Sequence, residues 1–149
     1  MSGIATLTNK FAKIAEPYKV KIVDTRKTKP TLRKIEKYAV LCGSGYNHRF
    51  GLFDGILIKD NHITAAGGVS KAIESIRASA PHTLKIEVEI KDFNQLDEAI
   101  TSKADIIMLD NMDPSQMVRA VKIIKEKRGS SCMVEASGNI NLENLEEIC

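Results

Sequence analysis

The sequence predicts an α/β fold, a parallel sheet covered by helices, and three observations carry the expectation. Short β-branched runs alternate with amphipathic helical patterns along most of the chain. The runs are close to continuous in apolar character, as strands packed under helices are. No low-complexity linker interrupts them, so 149 residues with 43% hydrophobic content read as a single soluble domain around one core. These observations leave a doubly wound sheet and a (β/α) barrel both open.

Each element follows from local pattern. Ile4, Leu7, Phe11 and Ile14 recur at helical spacing and stop at Pro17, which predicts an opening helix over residues 1–17. "VKIVD" is the first expected strand. Pro30 suits a first helical turn, Leu32, Ile35 and Ala39 form the apolar stripe behind it, and Gly43 is the expected stop. "GILIKDN" is the second strand, and Val69, Ala72, Ile73 and Ile76 mark the next helix. "LKIEVEI" is the third strand, followed by a short helix carrying Leu96, Ala99 and Ile100. "DIIMLDN" is the fourth. Asp113 then caps a helix with Pro114 at its first position and Gln116 placed for a capping box. The stripe of that helix is Met117, Val118, Val121 and Ile124, and it ends at Gly129. "CMVEASG" is the fifth strand, and Leu142, Leu145 and Ile148 open a last helix near Asn141.

Composition limits the partners. No apolar run reaches the length of a membrane span, and the first residues lack a signal-peptide layout, so a cytoplasmic protein is expected. Cys42, Cys132 and Cys149 sit in no metal or redox spacing and are expected as reduced thiols. His48, His62 and His82 form no metal set, and His82 reads as an exposed bystander. Residues 1–60 carry 12 Lys and Arg against 5 Asp and Glu, a formal +7, whereas residues 61–149 carry 10 against 14, a formal −4. A basic segment can serve nucleic acid, a solvated helix face or a pocket for small anions. Arg33, Lys34 and Lys37 fit the solvated face. Arg26, Lys27, Arg49 and Lys59 flank apolar or glycine-rich segments and fit it less well.

The strand exits point to a site. In order they are Asp24-Thr-Arg-Lys, Lys59-Asp-Asn-His, Glu87 with Glu89, Asp110-Asn111 and Glu135-Ala-Ser-Gly. In parallel α/β folds such ends form one rim. Arg26 and Lys27 pair a planar fork with a mobile point charge, suited to carboxylate and phosphate oxygens. His48 and Arg49 follow a glycine-rich bend where backbone donors can also approach an anion. Lys59 reads as an anion clamp or a Schiff-base nucleophile. Glu89 and Asp110 suit Mg²⁺ held together with a substrate phosphate, ribose hydroxyls, or a developing sugar cation. His62 and Asn61 stand where they can touch ligand. Ser137 and Gly138 precede an expected helix start, a phosphate-binding arrangement.

Taken together, "SGIATLT", "DTRKTKPTLRKIEKYAV", "GSGYNHRFGLFDGILIKDNH", "KIEVEI", "LDNM" and "VEASGNI" resemble the C-terminal catalytic region of the quinolinate phosphoribosyltransferases, in order over essentially the whole chain. Two positions depart from the family pattern: its Gly after TRKT-x-P is Thr31 here, and its triple-glycine bend is Gly43-Ser44-Gly45. Both changes are expected to be tolerated.

The resemblance implies an incomplete, open β/α barrel of about five βα units over residues 18–149, preceded by one linker helix. An N-terminal domain and the last barrel units would lie outside this chain, and activity in isolation is not implied. It also implies transfer from 5-phosphoribosyl-1-pyrophosphate to quinolinate with Mg²⁺, releasing nicotinate mononucleotide, pyrophosphate and CO₂ in NAD biosynthesis. By motif, Arg26, His48, Arg49 and Lys59 would grip the two quinolinate carboxylates, with Lys27 shared toward the phosphates, and Thr25, Asn61 and His62 would also bind substrate. Glu89 and Asp110 would hold ribose hydroxyls and Mg²⁺, directly or through the pyrophosphate substrate. Ser137, Gly138 and Asn139 would face the phosphate end. Lys27, Lys59, Glu89 and Asp110 are the expected catalytic groups. The parent enzyme would be a homodimer or a hexamer of dimers, with no nucleic acid or membrane partner. A molybdenum-transport paralogue and a Schiff-base aldolase using Lys59 are the competing enzymatic expectations. A nucleic-acid binder is disfavoured by the low aromatic content.

Overall fold

The computed structural model describes residues 1–149, which divide into two compact units: residues 1–54 with 140–149, and residues 55–139.

The second unit holds the sheet. Its elements are β1 (Ile56–Ile58), α3 (Asp60–Ala66), α4 (Val69–Ser79), β2 (Ile86–Ile90), α5 (Phe93–Thr101), β3 (Ile106–Asp110), α6 (Pro114–Arg128) and β4 (Met133–Ser137). The four strands pair in sequence order, all parallel, with Leu57 opposite Glu87, Glu89 opposite Met108 and Asp110 opposite Ser137. The α/β parallel architecture is therefore as expected.

Pleating sorts the residues by face. Ile58, Ile86, Val88, Ile90, Ile107 and Leu109 lie on one face and are buried, together with Val69, Ala72 and Ile73 of α4, Leu96 and Ala99 of α5, and Ala120 and Ile124 of α6. The other face carries Leu57, Glu87, Glu89, Met108, Asp110, Glu135 and Ser137. Asp113 caps α6 as expected: its carboxylate accepts from Gln116 N–H at 2.9 Å while Gln116 Oε1 accepts from Asp113 N–H at 3.1 Å. The buried stripe of α6 runs through Met117, Ala120 and Ile124, and Val118, expected within it, is exposed.

One strand expected in this unit is cut short. "GILIKDN" is a strand only to Ile58; Asp60, Asn61 and His62 are the first turn of α3. That turn closes on a histidine cap, with Lys59 N–H donating to His62 Nδ1 at 3.0 Å. Gly67 and Gly68, at φ 78 and 139, then separate α3 from α4.

The first unit contains α1 (Ser2–Ala15), a 3₁₀ turn (Glu16–Tyr18), α2 (Arg33–Cys42) and α7 (Leu145–Ile148). Gly43 and Gly45 let the end of α2 close on α1: a Cβ on Gly43 would stand 2.4 Å from Ala5 O, and one on Gly45 would stand 2.7 Å from Thr8 Cγ2. The expected strand "VKIVD" forms only a single parallel bridge, Val23 to Tyr46. Its hydrogen bonds are Tyr46 N–H to Ile22 O at 2.8 Å and Asp24 N–H to Tyr46 O at 3.1 Å. The segment expected as a bend is thus its extended partner.

α2 begins at Arg33 rather than Pro30, because Thr31 sits at φ 68, which a helix cannot continue through. Its buried face is Lys37, Ala39 and Val40, whereas Ile35 is exposed. In α1, Leu7 is likewise exposed. The last helix starts at Leu145 rather than near Asn141, whose Oδ1 instead accepts from Glu143 N–H and Asn144 N–H in a turn.

Candidate functional site

The expected site residues fall in both units. Thr25, Arg26, Lys27, His48 and Arg49 belong to the first; Lys59, Asn61, His62, Glu89, Asp110, Ser137, Gly138 and Asn139 belong to the second.

In the first unit, α2 is the support for both basic segments. Lys37 and Arg33, one turn apart, project to the same side of the helix. Lys37 is 4% exposed and Asp24 8% at the side chain, and they form a buried ion pair in which Lys37 Nζ donates to Asp24 Oδ1. The same ammonium donates to His48 O at 2.9 Å, and His48 N–H donates to Asp24 Oδ1 at 2.9 Å. Arg33 donates to Thr28 Oγ1 at 3.1 Å, Arg26 O at 3.2 Å and Phe50 O at 3.1 Å. Lys37 and Arg33 are therefore structural ties, not members of a solvated face; of the three cations grouped there only Lys34 is exposed.

The tied segments present their own donors. Thr25 Oγ1 accepts from Lys27 N–H at 3.0 Å and sets the turn that separates Arg26 from Lys27. Arg26 is half-buried and its Nε has no hydrogen-bond acceptor in the chain, while Lys27 is exposed. A buried guanidinium donor left without a partner is costly unless something else accepts from it. Arg49 N–H donates to His48 Nδ1 at 2.8 Å, so a neutral His48 carries its proton on Nε2.

In the second unit, register makes the row. Lys59, Glu89, Asp110 and Ser137 lie at or just past the C-terminal ends of β1 to β4, in order, and on one side of the sheet. Lys59 Nζ stands 3.2 Å from Glu89 Oε2; the lysine is half-exposed and the glutamate largely covered. An ion-paired, solvent-reached ammonium suits an anion clamp better than a desolvated Schiff-base nucleophile. Lys91, past the end of β2, bonds Asp60 at 3.0 Å. That bond, with Asn61 N–H, holds the Asp60 carboxyl below the usual carboxylate range, and Asp60 in turn raises Lys91.

Asn111, named at the fourth strand exit but given no role there, is a further member. Its N–H donates to Ser137 O at 2.8 Å, and its Oδ1 accepts from Asn139 Nδ2 at 3.1 Å. Gly138, at φ 95, passes so close that a Cβ there would stand 2.2 Å from Asn111 Oδ1. The Ser137–Asn139 turn is thereby held by β3, not by a helix start; α7 spans only Leu145–Ile148.

Burial raises the Cys132 and Cys149 thiols, which argues against a thiolate nucleophile in either. His82 is exposed, as expected.

Comparison with known proteins extends this geometry. A family model described as "Quinolinate phosphoribosyl transferase, C-terminal domain" matches residues 4–149. A protein of Bacillus subtilis named "Probable nicotinate-nucleotide pyrophosphorylase [carboxylating]" is 49% identical over 145 residues, covering 97% of this chain and 49% of the relative. A protein of Synechocystis sp. with the same name is 46% identical over 148 residues, covering 99% and 50%. Among solved structures, NadC from Streptococcus pyogenes superposes with a TM-score of 0.89 at 44% identity, covering 97% of this chain and 49% of that one. The nicotinate-nucleotide pyrophosphorylase from Francisella tularensis gives 0.88 at 45% identity, covering 98% and 50%. The chain spans about half the length of these relatives. No helix is long and apolar enough to cross a membrane. With a match that runs from residue 4 to residue 149, the chain belongs to the quinolinate phosphoribosyl transferase family, as its C-terminal domain.

Proposed function

We propose that the polypeptide carrying this sequence transfers a phosphoribosyl group from 5-phosphoribosyl-1-pyrophosphate to quinolinate and decarboxylates the product, giving nicotinate mononucleotide, pyrophosphate and CO₂. The observation that carries the proposal is the row Lys59, Glu89, Asp110 and Ser137 at four consecutive strand ends, in a chain whose family membership supplies the substrates. Relatives named for this reaction support it over the molybdenum-transport and aldolase alternatives.

In this proposal the residues divide by charge. Thr25, Arg26, His48, Arg49 and Lys59 receive the two quinolinate carboxylates, with Asn61 and His62 beside Lys59. The acceptor-less Nε of Arg26 is the donor most in need of a ligand oxygen. His62 Nδ1 is used by the Lys59 N–H, so a neutral His62 offers Nε2–H outward. Lys27, which is exposed, serves the pyrophosphate. Ser137, Gly138 and Asn139 serve the 5′-phosphate, for which the Gly138 turn allows close backbone approach.

Glu89 and Asp110 are hard oxygen donors on one sheet face of adjacent strands, a set that fits Mg²⁺ held jointly with a substrate phosphate. When bound, that ion would neutralise charge on the departing pyrophosphate. In the same proposal the two carboxylates accept from ribose hydroxyls and favour positive charge at the anomeric carbon as the bond to pyrophosphate loosens. No covalent nucleophile is needed. The same proposal includes a homodimer or a hexamer of dimers and a cytoplasmic location.

The test is PRPP-dependent conversion of quinolinate to nicotinate mononucleotide by the polypeptide that carries this sequence. Arg26→Ala and Lys59→Ala are expected to abolish turnover with the circular dichroism spectrum retained. Near-normal rates in either, or a borohydride-trapped adduct at Lys59, would overturn the assignment.

A further inference from the structure

The buried Asp24–Lys37 pair holds the backbone from which His48, a residue proposed to receive substrate, projects. Lys37 Nζ donates to His48 O and Asp24 Oδ1 accepts from His48 N–H, so both polar groups of the His48 backbone are engaged by the pair. Asp24 is also the residue before Thr25, and its own N–H is bonded to Tyr46 O. One ion pair thus sets the spacing between the Thr25–Lys27 turn and the His48–Arg49 segment.

We propose that Asp24 and Lys37 are positioning residues for dicarboxylate recognition: they fix the His48–Arg49 backbone against the Thr25–Lys27 turn at the separation two carboxylates require. The inference rests on the proposed quinolinate function. Three points support it beyond the hydrogen bonds. Burying a lysine on a ten-residue helix that has Ile35 and Leu41 exposed is an unfavourable use of the interior. A buried ion pair is a weak source of stability compared with apolar residues of the same volume, so a role in geometry accounts for it better. Arg33, one turn earlier, ties the continuation of the same two segments through Thr28 Oγ1, Arg26 O and Phe50 O.

Two double variants separate geometry from stability. Asp24→Val with Lys37→Met removes both charges and both ties to His48 without stranding either charge. Asp24→Asn with Lys37→Gln also removes both charges but keeps an acceptor for His48 N–H and a donor for His48 O. Three readouts apply to the polypeptide that carries this sequence and to both variants of it: thermal midpoint, hydrogen exchange at the His48 amide, and quinolinate affinity by calorimetry.

Both variants are expected to fold. The apolar pair is expected to exchange its His48 amide faster and to bind quinolinate roughly 10- to 100-fold more weakly, by analogy with the loss of groups that orient metal-ligating side chains. The polar pair is expected to recover most of that loss. Unchanged His48 exchange and affinity in a folded apolar pair would overturn the inference. If the apolar pair does not fold, the polar pair decides: slow exchange with near-native affinity supports positioning, and a loss of roughly tenfold or more overturns it. If the unaltered polypeptide that carries this sequence does not bind quinolinate, the functional proposal fails, and the His48 exchange rates still decide whether the pair holds that segment.

Discussion

Replacing Thr31 by glycine is predicted to stabilise the chain, although it removes a side chain. Thr31 is exposed and sits at φ 68 between Pro30 and the start of α2. In the left-handed region Cβ crowds the following carbonyl, at a cost of about 1–2 kcal/mol for an L-residue, and a β-branched side chain has no favourable way to relieve it. Glycine escapes that strain but enlarges the unfolded ensemble, which returns about 0.4–1 kcal/mol. The net expectation for Thr31→Gly is a gain of about 0.5–1 kcal/mol, or roughly 1–4 °C in thermal midpoint for a chain of this size. Urea and thermal unfolding followed by circular dichroism would measure it, with Thr31→Ala as the control that keeps Cβ and gains little. A midpoint unchanged or lowered in Thr31→Gly would refute the strain argument.

Three further predictions test other parts of the account. Ser44→Gly, at φ 66 beside the same helix, should stabilise by the same mechanism, which thermal unfolding would show. Gly43→Ala should destabilise by about 1–3 kcal/mol in urea unfolding, since its Cβ would meet Ala5 O at 2.4 Å and force α1 from α2. Acid should unfold the chain partly through Asp54, Asp60 and Asp113. Backbone N–H groups of Phe50 and Gly51 lower Asp54, the Lys91 and Asn61 bonds lower Asp60, and the Ser115 hydroxyl with Gln116 N–H lowers Asp113. Because each folded-state value is depressed, its contribution is complete above the unfolded carboxylate pKa of about 4 and is lost as pH falls through the lower folded value. The thermal midpoint of Asp54→Asn should therefore converge on that of the unaltered chain at the lowest pH. Midpoints that stay parallel down to pH ~2.5 would contradict this linkage.

Local chemistry was readable where partners lie close in sequence. The α6 start needed only Asp113, Pro114 and Gln116, and β2, β3 and β4 were legible because apolar runs flank turn residues at each end. α3 escaped because seven residues are too few for periodicity, and its cap is a histidine rather than an Asp, Ser or Thr. Lys37 was misjudged as solvated because its partner, Asp24, lies 13 residues away and meets it only in the tertiary fold. The segment around Tyr46 read as a bend because glycines dominate it, whereas Gly43 and Gly45 are there for close approach to α1. Thr31 and Ser44 are the converse case. Comparison with the family pattern marked them as glycine positions, and the positive φ at both explains the preference. The row of strand-end residues was legible as chemistry, but Asn111 was not, since its role lies in bracing Gly138 and Asn139 from the neighbouring strand.

If the paired basic segments recognise a pyridine dicarboxylate, as proposed, removing one carboxylate from the ligand must cost affinity. Calorimetric titration of quinolinate and of nicotinate, which has a single carboxylate, into the unaltered chain and into Arg26→Ala tests it most directly. Quinolinate should bind the unaltered polypeptide that carries this sequence, nicotinate should bind at least roughly tenfold more weakly, and Arg26→Ala should lose the preference. Equal affinity for the two ligands, or full quinolinate affinity in Arg26→Ala, would contradict it.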